Sequence, residues 1–365
     1  MISTFYIVIF HFEIYILHFY DLKNFFNKHK IRKFFNMLNK IKHLNIKLFD
    51  ADVEKKYIRD GFGQGLLFAG ERNRKVVALS ADLSDSVRLN QFKERFPERY
   101  FEVGVAEQNL ATVASGLAYY GKIPFMTSFA VFSPGRNWEQ IRTTIALNNV
   151  PVKIIGSHAG IAVGEDGATH QSLEDIALMR VLPNVTVIVP CDYEEAKKAV
   201  YEMVEHDKPT YMRFDRSKVP VITTENSPFK IGKAEILWDS NKPVVAIIAI
   251  GYLIHNALLC AKELEKEGIQ ALVVNNHTIK PMDEELILGI AKRTGAIVTV
   301  EDHQIAGGMG SAVVEFLAKT YPVPIEFVGV NNKFGQSGKP EELIKHYGLD
   351  VESIKKAVGK VLKRK

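Results

Sequence analysis

From about residue 51 the chain alternates short apolar runs with helix-length amphipathic stretches, and this alternation constrains the fold more than any other feature. Strands separated by helices cannot pair through tight hairpins. The pattern therefore predicts an α/β fold of mostly parallel, helix-flanked sheets. Residues 75–80, 100–103, 123–128, 152–157, 185–189 and 210–214 read as strands. Residues 106–120 give the clearest helix, with Leu110, Val113, Ala114, Leu117 and Ala118 on one stripe. The stretch 215–242, rich in Pro, Asn, Ser and Thr, reads as a linker. A second, smaller parallel-sheet unit follows, with strands at 243–250, 270–275, 296–301 and 324–328. Its helices are expected at about 253–267, 283–294, 309–319 and 351–362. The expected division is an N-terminal extension of doubtful structure (1–50), a first unit (51–214), the linker (215–242) and a second unit (243–365).

The formal net charge of +5 resides in the extension, where eight Lys or Arg face three Asp or Glu within residues 1–50. The rest of the chain is neutral, which argues against a nucleic-acid-binding face. Nine of the 22 Phe also fall in the first 49 residues. Residues 1–20 are apolar but include His11, Glu13 and His18, with no basic run ahead of them, so a signal peptide is not expected. A membrane-surface helix, with Lys23 to Lys47 facing headgroups, competes with the favoured reading. That reading takes the tail as translated upstream sequence, with Met37 as the start. Cys191 and Cys260 form neither a disulfide framework nor a metal knuckle; they read as core residues of a protein in a reducing compartment, the cytoplasm.

The chemistry concentrates at strand ends. Residues 157–175, SHAGIAVGEDGATHQSLED, follow a strand and precede a helix, where open α/β sheets bind ligands. Glycines allow close backbone approach, and His158, Glu165, Asp166 and His170 supply polar groups. A plain surface loop is the competing reading; a metal site is a weaker one, since His158 and His170 lack tight ligand spacing. In FEVGVAEQN, Glu107 opens a helix, where a carboxylate complementing the helix dipole is the bland account. Asp82 and Ser86, in SADLSDS, also follow a strand and could cap a helix.

The loop GEDGATHQ, the helix start VGVAEQN, the strand end SADLSDS and the segment SFAVFSPGR occur in an order and spacing that resemble the C-terminal half of transketolase. The resemblance covers about residues 51–362, and VEDHQIAGGMGSAVVE looks like that family's C-terminal domain. It implies a thiamine diphosphate site of which this chain holds the pyrimidine half. The family's diphosphate signature, a GDG followed at a distance by an Asn, is not found. The resemblance therefore implies a partner, an N-terminal transketolase section that brings the diphosphate site and Mg²⁺ or another divalent cation. No metal ligand is assigned to this chain. The assembly it implies is a hetero-oligomer dimerised through like subunits, acting on sugar phosphates, with no nucleic acid and no membrane partner.

Residue roles carry over from the resemblance. Glu107 takes the part of the carboxyl bonded to ring nitrogen N1′, which promotes the imino tautomer that activates the cofactor. Phe129 and Phe132 match the aromatic wall around the aminopyrimidine, and Asp82 is a further cofactor-side position. Arg59, Ser86, His158 and Arg216 match phosphate-binding positions, and Asp166 and His170 match residues bonding the sugar hydroxyls. One departure is Gly135, which stands where single-chain members carry a stacking Tyr.

The implied reaction is transfer of a two-carbon glycolaldehyde unit from a ketose phosphate to an aldose phosphate. Competing readings are a 1-deoxyxylulose-5-phosphate synthase-like subunit, a 2-oxoacid dehydrogenase β-like subunit, and a non-catalytic assembly partner. GFGQG at 61–65 is a weak dinucleotide fingerprint with no strand before it, and IAGGMGS at 305–311 reads as helix-entry geometry.

Overall fold

The computed structural model describes Leu38 and residues 42–365, so the expectations for residues 1–37 and 39–41, including a start at Met37, lie outside the described residues. A short strand β1 (Lys55–Tyr57) leads into helix α1 (Ile58–Arg72). The strands β2 (Val76–Ser80), β3 (Tyr100–Glu102), β4 (Ile123–Phe129), β5 (Lys153–Ser157), β6 (Thr186–Ile188) and β7 (Thr210–Arg213) then form a parallel sheet. Every residue of β2, VVALS, is buried, as expected for a strand covered by helices on both faces. Helices α2 (Glu107–Tyr119), α3 (Asp175–Arg180) and α4 (Tyr193–Glu205) connect these strands.

After β7, β8 (Lys218–Pro220) and β9 (Glu235–Asp239) precede the second unit. That unit alternates β10 (Val245–Ala249), α5 (Leu253–Lys266), β11 (Ala271–Asn275), β12 (Thr278–Lys280), α6 (Glu284–Thr294), β13 (Ile297–Gln304), α7 (Met309–Thr320) and β14 (Ile325–Val330). Helices α8 (Pro340–His346) and α9 (Val351–Leu362) close it. The sheet orders are β12-β6-β7-β5-β4-β2-β3 and β14-β13-β10-β11-β9.

All ten strands expected from the sequence form, with ends displaced by at most three residues. Three features differ. Residues 215–242 are not a bare linker: β8 pairs antiparallel with β1, and β9 edges the second sheet against β11. β12 leaves the second unit and pairs antiparallel with β6, at the edge of the first sheet. Residues 42–50 are packed: Leu48 is buried with Trp238 and Leu253, and the Asn45 N–H donates to Ile222 O at 2.8 Å.

The two units share a core. Leu79, Met126 and Ile154 belong to one continuous buried cluster with Ile248, Leu272 and Val274, and burial of this kind contributes about 25 cal/mol per Å². Docking is therefore part of the fold. GFGQG lies inside α1, and its Gly61, Phe62, Gly63 and Gly65 are buried. The IAGGMGS segment opens α7, whose Met309 and Gly310 N–H groups donate to the Glu301 carboxylate at 2.7 and 2.8 Å. Glu301 lies wholly inside, and burial pushes its pKa up to about 7 although both amides oppose the shift. Cys191 and Cys260 are buried free thiols.

Candidate active site

Register places the chemistry. Parallel pairing sets Ser80 beside Thr127 and Glu102, Phe129 beside Ser157, and Gly156 beside Arg213. The C-terminal ends of β2, β3, β4, β5 and β7 thus share one edge, and the loops after them carry Asp82, Glu107, Phe132, His158 and Arg216.

His158 is the centre of this edge. It is 3% exposed, its backbone is left-handed (φ 56°), and its ring stacks on Phe129 at 3.9 Å between centroids. Nδ1 lies 2.7 Å from Ser157 Oγ, and Nε2 lies 3.3 Å from Arg59 Nη1. Burial lowers its pKa to about 3, helped by the positive charges of Arg59, Arg216 and Arg88. His158 is therefore a neutral hydrogen-bonding ring at neutral pH.

Arg59 also donates to Ser86 O at 3.2 Å, while its buried Nε has no partner. Burial and the charge of Arg88 lower its pKa, although Asp60, which pairs with Arg88 at 2.7 Å, opposes the shift. Arg216 donates to Val163 O at 2.9 Å and lies 3.3 Å from Glu165 and 3.8 Å from Asp166. His170 sits edge-on to Phe132 and Phe129, with centroids at 5.5 and 6.3 Å, and those two Phe rings stack at 6.1 Å. Phe129, Phe132, His158 and His170 form a single ring cluster, which Arg59 reaches through His158; Ser86 bonds Arg59, and Asp166 lies near Arg216.

Glu107 stands beside this cluster. It opens α2 and is 1% exposed. One carboxylate oxygen accepts from Arg136 Nη1 at 2.7 Å, and the Arg136 guanidinium lies 5.2 Å from the centre of the Phe132 ring. Asn137 secures the backbone, with Nδ2 donating to Glu107 O at 2.9 Å. Asp82 is more remote. Its side chain is exposed, its backbone is left-handed (φ 60°), and its N–H donates to Glu102 at 2.7 Å. Gly135 is exposed, but a Cβ there would lie 2.0 Å from Val131 O, so this backbone excludes any larger residue.

Sequence reasoning assigned no role to Arg136, Asn137 or Ser157. Arg136 closes the SFAVFSPGR segment and Asn137 follows it directly, so membership of a recognised motif was an available signal. Among the described residues no group of three or more His, Cys, Asp or Glu side chains is arranged to hold a metal ion. No helix among them is long and apolar enough to cross a membrane.

Residues 54–221 match the transketolase pyrimidine-binding domain, and residues 232–354 match the transketolase C-terminal domain. A Methanocaldococcus jannaschii chain described as a "putative transketolase C-terminal section" is 45% identical over 312 residues, which are 85% of this chain and 97% of that one. The chain belongs to the transketolase family. Its fold is similar to that of a split-gene transketolase solved as an inactive β4 tetramer, with a TM-score of 0.79 and 44% identity, covering 84% of this chain and 98% of that one. It is also 36% identical over 305 residues to a 1-deoxy-D-xylulose-5-phosphate synthase of Syntrophus aciditrophicus, where the match spans 82% of this chain but only 46% of the relative. The transketolase family depends on thiamine diphosphate.

Proposed function

We propose that this chain is the C-terminal subunit of a two-chain transketolase, transferring a two-carbon glycolaldehyde unit from a ketose phosphate to an aldose phosphate. In this reading residues 51–214 are the pyrimidine-binding unit and 243–365 the C-terminal unit. A separate N-terminal chain brings the diphosphate site and the divalent cation, in a cytoplasmic hetero-oligomer. The observation that carries the proposal is His158, whose ring joins the aromatic wall, through Phe129, to the cationic cluster, through Arg59.

The residues fit the pyrimidine half of thiamine diphosphate, for a buried carboxylate lies close to stacked apolar rings. Held there, that cofactor would supply a carbon nucleophile for the ketose carbonyl. Glu107, 1% exposed, would hydrogen-bond the ring nitrogen of that cofactor. Phe129 and Phe132 exclude water from the ring, and Asp82 borders the cofactor side. Arg59, Ser86, His158 and Arg216 hold the sugar phosphate; Asp166 and His170 orient hydroxyls near the reacting carbons.

The test mixes this chain with the candidate N-terminal half, thiamine diphosphate, Mg²⁺, xylulose 5-phosphate and ribose 5-phosphate. Sedoheptulose 7-phosphate forms in the mixture only, and not with Glu107→Gln. Activity of this chain alone overturns the half-site reading. A second reading follows from the likeness to the synthase: consumption of pyruvate as donor, in place of the ketose, would establish it. Full activity of Glu107→Gln would instead leave the chain an assembly partner.

A further inference from the structure

We propose that Asp302, a residue of the second unit, is a positioning residue for sugar binding: its carboxylate fixes the backbone of the loop that carries His158, Asp166 and His170. The inference rests on the functional reading above, because it takes that loop as the sugar-binding loop.

Asp302 and Glu301 are neighbours on β13, and strand alternation sends them opposite ways. Glu301 closes the start of α7, and Asp302 reaches into the first unit. Asp302 Oδ1 accepts from Ile161 N at 2.9 Å, and Oδ2 accepts from the Tyr252 hydroxyl at 2.9 Å and lies 3.5 Å from Ala162 N. Both amides are buried and would otherwise lack a partner in water. Gly160 has φ +80°, and a Cβ on it would lie 2.1 Å from Asp302 Oδ2, so the loop approaches as closely as glycine permits.

The hold is continued on both sides. Arg213, at the end of β7, donates two hydrogen bonds to Asp302 O at 3.0 and 3.1 Å and pairs with Asp175, the first residue of α3, at 3.0 Å. The Gln304 N–H donates to Leu173 O at 2.8 Å, and Ser337 Oγ donates to Glu165 O at 2.6 Å. Asp166 is exposed, so the geometry of its side chain depends on backbone held from beneath. The second unit contributes no side chain to the ring cluster; its part is to set the loop.

The experiment has two arms. Amide exchange of residues 160–164 is measured in this chain alone, for wild type, Asp302→Ala, Asp302→Asn and Tyr252→Phe. Asp302→Ala is expected to exchange about tenfold faster or more, with β10 unchanged, and Asp302→Asn to fall near wild type because its carbonyl still accepts from Ile161. In the reconstituted pair, Asp302→Ala raises KM for the sugar phosphate about tenfold, with kcat within about threefold and thiamine diphosphate affinity unchanged. Asp302→Asn restores KM. If Asp302→Ala does not fold, Tyr252→Phe, which removes the hydroxyl that anchors Asp302 Oδ2, carries both arms, with smaller changes in the same direction. Unchanged loop exchange overturns the clamp, and faster exchange with unchanged KM overturns its role in sugar binding. A wild-type pair that turns over no sugar phosphate overturns the functional reading instead; the exchange arm, which needs only this chain, then still decides whether the clamp exists.

Discussion

Glu107 and Arg136 are joined at 2.7 Å with unequal solvation: the Glu107 side chain is 2% exposed and that of Arg136 52%. Such a pair is neither a screened surface contact nor a fully desolvated bridge. Its main effect is to give a buried carboxylate a counter-charge that water can reach from the other side.

Replacing Arg136 with Met should destabilise the chain by about 1–2 kcal/mol, since the buried Glu107 loses its charge partner. Glu107→Gln should remove most of that cost, so a double-mutant cycle in urea should return a coupling of about 1 kcal/mol. Additive single effects would mean that Arg136 contributes only through its contact with Phe132.

Glu107→Gln on its own should fold with nearly wild-type stability and pair with the partner chain. In the reconstituted enzyme its kcat for sugar transfer should drop by about 100-fold or more, because an amide cannot replace the carboxyl group that engages the cofactor ring. A variant that retained wild-type kcat would reduce Glu107 to a helix-opening carboxylate.

Arg59→Ala should raise KM for phosphorylated donors by about 10- to 100-fold, the worth of a charge-assisted contact. It should change the reaction of an unphosphorylated ketose far less. Arg59→Lys should recover only part of the loss, because a compact ammonium on a flexible stem does not reproduce the planar guanidinium whose Nη1 reaches both Ser86 O and His158 Nε2. Steady-state kinetics with paired phosphorylated and free sugars measures the difference.

Much of this was legible because a parallel sheet turns strand order into spatial proximity. Once 75–80, 123–128 and 152–157 read as strands, Asp82, Phe129 and His158 had to emerge at one edge. What escaped depends on contacts that no local pattern records. Asp302 meets Ile161 and Ala162 from a different unit of the chain. β12 has only three residues, too few for a period, and its place beside β6 comes from docking of the two units. Pro and Ser within 215–242 suggested a linker, although Lys218–Pro220 finds a partner in Lys55–Tyr57, more than 150 residues earlier.

The buried His158 makes a prediction about acid stability. Its folded pKa of about 3 lies below the ordinary 6.5, chiefly through burial. The folded state therefore refuses a proton that the unfolded chain accepts. The associated stability is fully present above pH 6.5 and is lost as pH falls from there toward about 3. The loss attributable to His158 should be about 1 kcal/mol at about pH 5.5 and roughly twice that one unit lower. His277 and His303 are shifted the same way, to about 3 and about 4, whereas Glu195, Glu301 and Asp215 are raised to about 7 and act in the opposite sense. The overall pH profile mixes these, so the informative quantity is wild type minus His158→Gln, from urea unfolding at several pH values. That difference should shrink as the solution is acidified, because only wild type loses the His158 contribution. A difference independent of pH would mean that the ring is hydrated enough to titrate alike in the folded and unfolded chain.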